Sequence, residues 1–210
     1  MPTIEQAQGW YPEEDPVHGF DHVLRVMRSA EEIGRELGAD LEILRAAALL
    51  HDAAGADPRE DRARHENASA EFAHEILGAE GWSEDRIEEV VECVLSHRYR
   101  GQQRPKSLEA QILFDADKLD VVGAFGVART IGYAIQAGEP IFAEPSEQFL
   151  ESGEPEPGEP HSAYHEYLFK LRNVKYRLHT KPARHMAAER EKVLICFFEQ
   201  LAAEAGGKGS

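Results

Sequence analysis

The sequence predicts an all-α protein, and three observations lead there. Apolar residues recur at helical spacing along nearly the whole chain. No stretch shows the apolar–polar alternation of a half-buried strand. Helix-stopping glycine and proline, and helix-capping serine and aspartate, fall mostly between the periodic stretches.

The first long helix is expected over about residues 18–37, with Val23, Val26, Met27, Ala30, Ile33 and Leu37 on one stripe. Gly38 stops it, and Asp40 caps the next. That second helix, LEILRAAALLHD, is apolar almost all round, which marks a buried central element; Gly55 and Pro58 in AAGADP end it. A third helix runs from about His65 to Leu77. A fourth starts behind Ser83, with acidic residues in its first turn, and reaches about Ser96. The polar HRYRGQQRP leads to Ser107, another N-cap, and to a fifth helix carrying LEAQILFDADKLDVV, either merged with GAFGVARTIGYAIQ or followed by it. Residues 138–160, rich in Pro and Glu, read as an exposed excursion, either a lid or a passive surface loop. Helices over about 162–175 and 182–204 close the chain. The expectation is one domain over 1–210: a core at about 18–135, the acidic loop, and a C-terminal helical pair packing on the core (161–204).

The chain has 210 residues, with 39 acidic and 23 basic side chains and a net charge of −16. Such a surface argues against nonspecific binding to a nucleic-acid polymer or an anionic membrane. A small anionic substrate stays open, because a metal ion inverts the local field of one cleft. Cys93 and Cys196 are spaced unlike a disulfide framework or a zinc knuckle and are expected to be buried free thiols. The opening MPTIEQAQGWYPEEDP lacks the basic and apolar regions of a signal peptide, and no apolar run approaches the roughly 20 residues of a membrane span. A cytoplasmic protein is expected. Histidine is unusually frequent, ten in all.

His51-Asp52 sets two metal-ligand types side by side where the apolar helix opens into a Gly/Pro loop. Alone, the dipeptide more often marks a capped helix end than a metal site. His22 lies at the edge of the first helix's apolar stripe, and Asp117 sits among Leu113, Phe114 and Leu119, where a carboxylate is costly to bury unpaired. A shared divalent cation is one way to satisfy all four. Mixed nitrogen and oxygen ligands suit Mn, Fe, Zn, Co or Ni better than Ca, with Mg admitted. Arg25, three residues after His22, can share its face and meet a phosphate oxygen, or form a structural salt bridge. Asp115 falls about 200° from Asp117 around a helix, so it is expected to anchor structure rather than share the metal. His18, four residues before His22, is a further candidate for the same face.

HGFDHVLRV, LLHD and DADKLD, in this order, resemble the HD superfamily of metal-dependent phosphohydrolases. The chain is most similar to the small stand-alone bacterial and archaeal members. These also carry an SA pair, here in HENASAEFA, and segments like ILFDADKLDVVGAFGVAR and HEYLFKLRNVKYRLHTKPARHMAAER, so the likeness covers about residues 15–200. The resemblance implies an HD-domain helical bundle with metal ligands His22, His51, Asp52 and Asp117. It makes Asp52, His65 and His97 candidate catalytic residues, the two histidines as second-metal ligands, phosphate contacts or proton donors, or else surface residues. Lys118 becomes a candidate substrate contact beside Arg25. The implied substrate is a phosphorylated small molecule, a nucleotide first, including triphosphates cleaved to the monophosphate; a homodimer is left open. One departure is that no Glu follows the HD pair, where some HD nucleotidases carry an acid or base; Asp57 replaces it only if the loop folds back. A two-metal phosphodiesterase, a di-iron oxygenase and a ligand-binding module without turnover stand as alternatives.

Overall fold

The structure, a computed structural model, describes residues 1–11, 19–54, 65–98 and 103–206, with the His65 side chain outside that set. The helices are α1 (Ile4–Gln8), α2 (Phe20–Leu37), α3 (Leu41–Leu50), α4 (His65–Ala79), α5 (Glu84–Ser96), α6 (Leu108–Leu119), α7 (Gly123–Ala137), α8 (Glu147–Ser152), α9 (Ala163–Phe169) and α10 (Lys181–Glu204). A 3-10 segment, Leu171–Arg177, follows α9. The described residues contain no strand, and none of their helices is long and apolar enough to cross a membrane. The chain forms two compact units, Met1–Leu119 with Leu178–Ala183, and Asp120–Arg177 with Arg184–Ser210.

In the first unit, α3 is the central element and packs against α1, α2, α4, α5 and α6. Its composition explains the position: Ile43, Leu44, Ala46, Ala47, Ala48 and Leu50 are all fully buried. The Asp40 carboxylate starts α3 by accepting the amides of Glu42 and Ile43. Gly38, in the left-handed region at φ 73°, stops α2 and returns its amide to the Gly34 carbonyl. Gly34 itself lets α2 and α3 approach closely, since a Cβ there would lie 2.5 Å from a Leu44 methyl. In this unit, α1 has no counterpart among the helices expected from the sequence. Thr3 and Gln6 form a reciprocal capping box that starts α1, and this short helix delivers Trp10 and Tyr11 to the first unit.

In the second unit, the stretch after α6 does not continue as one helix. Val122 is extended and Gly123 has φ 81°, so α7 begins anew, and an Asp120–Arg129 ion pair at 2.6 Å ties the junction to its second turn. The helix expected over 162–175 is shorter, breaking after Phe169 into the 3-10 segment. The acidic excursion is fastened rather than loose. It carries α8, capped by the Ser146 hydroxyl, and buries Phe149 against the His165 ring at 4.4 Å. The Glu159 carboxylate accepts the Ser146 amide and hydroxyl, the Glu156 amide and His165 Nε2. The His165 contact first, then the Ser146 and Glu156 bonds, hold its carboxyl down at about 2.

The cysteines correct one expectation. Cys93 is buried on α5, but Cys196 is exposed, because the apolar stretch around it lies on α10 with its Cys196 edge facing solvent. Burial pushes the Cys93 thiol up and removes its nucleophilic form. A thiol reagent applied to the native protein should therefore modify one cysteine per chain, Cys196. Rapid modification of Cys93 before denaturant is added would contradict this packing.

Candidate metal centre

The end of α3 builds the site. His51 is fully buried, and its Nδ1 lies 2.8 Å from the Ala48 carbonyl one turn back. A carbonyl only accepts, so Nδ1 carries the proton and Nε2 keeps its lone pair. That Nε2 is buried with no hydrogen-bond partner. Burial drives the His51 pKa down to about 4, against the opposing pull of the Asp52 charge, so the ring is neutral at pH 7. A neutral imidazole nitrogen, desolvated and unmatched, is costly as an ordinary core group.

Other elements aim at the same point. His97, at the end of α5, repeats the arrangement: Nδ1 donates to the Val94 carbonyl at 2.5 Å, and Nε2 lies 3.4 Å from Asp52 Oδ1. The other Asp52 oxygen, Oδ2, is 3.4 Å from His51 Nε2. His22 on α2 is 2% exposed, and its Nε2 stands 3.4 Å from Asp117 Oδ1 on α6. The His22 and His97 rings lie 5.5 and 5.2 Å from the His51 ring. His22, His51 and Asp52 each offer a ligand atom, all within 4.8 Å of one another.

These separations fit a cation better than direct hydrogen bonds. An N–H···O bond is normally shorter than 3.4 Å. Two donor atoms, each about 2.1 Å from one ion at tetrahedral or octahedral angles, sit about 3.0–3.4 Å apart. The donor set, the spacing and the orphaned Nε2 therefore agree on a divalent metal. Asp52 is the more open member, its side chain 26% exposed, so the centre has a solvent-facing side.

The neighbouring residues fix this geometry. Burial alone would raise the Asp117 carboxyl, but the Lys118 charge and the His22 contact overcome it and hold it well below the usual range. Lys118 is itself buried; its ammonium contacts Asp117 Oδ2 and lies over the Phe114 ring. Arg25 is paired with Asp21 at 2.5 Å. Asp115 accepts the amides of His179 and Thr180 and the Thr180 hydroxyl, all within 2.8 Å, and so fastens the segment that leads into α10. Ser69 on α4 belongs to the SA pair. Its hydroxyl donates to the Ala54 carbonyl at 2.8 Å and accepts the Ala54 amide at 3.2 Å, clamping the chain two residues beyond Asp52. A buried serine in an otherwise apolar helix stripe is the signal that marks it. His18, Asp57 and the His65 side chain lie outside the described residues.

Comparison with known proteins supplies the family context. The HD domain family matches residues 19–122. The protein YpgQ of Bacillus subtilis is 30% identical, over 99% of this chain and 96% of its own. A solved structure from Lactobacillus plantarum superposes with a TM-score of 0.75 at 27% identity, covering 97% of this chain and 94% of the other. Bacillus subtilis YpgQ in complex with ADP superposes with a TM-score of 0.70 at 25% identity, covering 96% and 97%.

Adding Mn, Ni or Zn to chelator-treated protein, at about a hundred times its dissociation constant, should raise the melting temperature by about 5–10 °C. Asp52→Ala should lose most of that shift while keeping its helical circular dichroism. An equal shift in the variant would remove Asp52 from the centre.

Proposed function

The chain belongs to the HD domain family of metal-dependent phosphohydrolases, and we propose that within this class it hydrolyses a phosphate ester or anhydride of a nucleotide. The observation that carries the reading is the buried, unpartnered Nε2 of His51, surrounded by two more imidazoles and two carboxylates. The ADP complex of YpgQ, similar over nearly its whole length, supports a nucleotide as the substrate class. Cleavage of a nucleoside triphosphate to the monophosphate is the form to test first.

We assign His22, His51, Asp52 and Asp117 as the metal-holding residues. When bound, a divalent cation supplies Lewis acidity, bringing a water toward deprotonation near neutral pH and polarising a phosphoryl oxygen. The chain's own groups do the rest. The backbone-tied Nδ1–H of His51 fixes its ring, so Nε2 faces the centre without searching rotamers. Asp52, partly open to solvent, receives the proton of the attacking water at Oδ1. His97 Nε2, 3.4 Å from that oxygen, takes this proton up on its lone pair and gives it to the leaving oxygen, which exits as the alcohol or as the protonated phosphate. His65 is retained as a second candidate for that transfer. For Arg25 and Lys118 to hold substrate, each exchanges a carboxylate, Asp21 or Asp117, for a phosphoryl oxygen.

One observation favours a second reading. His97 faces the Asp52 oxygen opposite to the one facing His51, so the carboxylate stands between two imidazole nitrogens. That arrangement suits a two-metal phosphodiesterase, in which His65 and His97 would help hold a second ion, and two metals per chain would select it.

Incubated with Mn and a panel of nucleoside triphosphates, the protein should release pyrophosphate or phosphate. His97→Ala should lower kcat about 100-fold or more while the metal dissociation constant moves little for a mononuclear centre. No turnover on any phosphate ester or anhydride, with metal bound, would leave a binding module instead.

A further inference from the structure

A buried helix that ends on its functional residues has to account for its last carbonyls. The final four carbonyls of a helix have no amide within it, and here Leu49, Leu50 and His51 are at most 2% exposed, so water cannot serve them. Three different donors do. The Ala48 carbonyl takes His51 Nδ1–H at 2.8 Å. The Leu50 carbonyl takes the Ala53 amide at 3.2 Å, a bond three residues back that tightens the exit turn. The Leu49 carbonyl, between them, takes the phenolic hydroxyl of Tyr11 at 3.0 Å, from a residue 38 positions earlier.

Tyr11 is built for that contact. It is 6% exposed and packs with Ala7, Val23 and Leu49; the Phe20 ring lies 5.5 Å from its own. Trp10, next to it, sits edge-on to Phe72 of α4 at 5.2 Å, so the segment after α1 is held to α2, α3 and α4. Tyr11 lies outside residues 19–122, which the HD domain family covers.

We propose that Tyr11 is a positioning residue for the metal centre: its hydroxyl holds the Leu49 carbonyl and thereby sets the direction in which α3 delivers His51 and Asp52. The role rests on the metal assignment above and concerns the outer groups that orient ligands, whose loss commonly weakens metal affinity about 10- to 100-fold. Ser69 pins the chain beyond Asp52 and Tyr11 pins it before His51, so the ligand pair is clamped from both sides.

The test compares the dissociation constant for Mn, by titration of chelator-treated full-length protein, among wild type, Tyr11→Phe and Trp10→Phe. Tyr11→Phe keeps the ring packing and removes only the hydroxyl. It should weaken Mn binding about 10-fold or more, and it should recover near wild-type kcat at saturating Mn. Trp10→Phe disturbs the same segment without touching Leu49 and should leave the constant within about twofold. Wild-type affinity in Tyr11→Phe overturns the proposal while the metal centre stands. Equal weakening in both variants overturns it too, making the segment merely structural. A wild type that binds no Mn, Ni or Zn overturns the metal assignment itself.

Discussion

The first unit turns on one constraint: an apolar helix, α3, must end in the interior on residues that are not apolar. His51 and Asp52 sit where the helix ladder stops, and the carbonyls released there are out of reach of water. The imidazole of His51 resolves part of this by giving Nδ1–H to Ala48, and in doing so it fixes which nitrogen faces inward. The same internal bond recurs at the end of α5, where His97 gives Nδ1–H to Val94. Two helix ends, solved by the same side-chain return, thus present two Nε2 lone pairs to one carboxylate. The packing of α2, α4, α5 and α6 around α3 follows from the need to bury that helix and its end together.

Electrostatics then separates the centre from the rest of the molecule. The chain carries a net charge of −16, a poor partner for a polyphosphate. Locally the balance differs. Asp117 is matched by Lys118 and contacted by His22, and Asp21 is matched by Arg25, so these two carboxylates are compensated before a cation arrives. A divalent ion held there would add positive charge on an otherwise acidic chain.

Much of this was legible in the sequence, and the physical reasons differ by residue. The end of α2 and the starts of α3 and α5 followed from Gly38, Asp40 and Ser83, because stops and caps act locally. The convergence of His22, His51, Asp52 and Asp117 depended on the HD resemblance, since spacing along the chain does not say which helices meet. His97 was expected near a cleft, and the structure brings it against Asp52. Tyr11 and Ser69 were not legible in the same way. Each acts on a distant stretch of backbone, Tyr11 through the Leu49 carbonyl and Ser69 through the Ala54 carbonyl and amide, and spacing along the chain does not say which backbone groups a side chain meets. The acidic excursion read as a loop because Glu and Pro dominate it. What fastens it is a single residue, Glu159, accepting four donors. Cys196 misled because an apolar neighbourhood in sequence does not fix which edge of α10 faces solvent.

The metal centre stands or falls on what fills the space beside His51 Nε2. Crystals of the Mn- or Zn-loaded protein, measured on both sides of the metal absorption edge, address it directly. An anomalous peak about 2.0–2.2 Å from His51 Nε2, shared with His22 and Asp52, is the predicted result. Metal-loaded crystals whose anomalous density lies elsewhere, with only a water beside His51 Nε2, would contradict it.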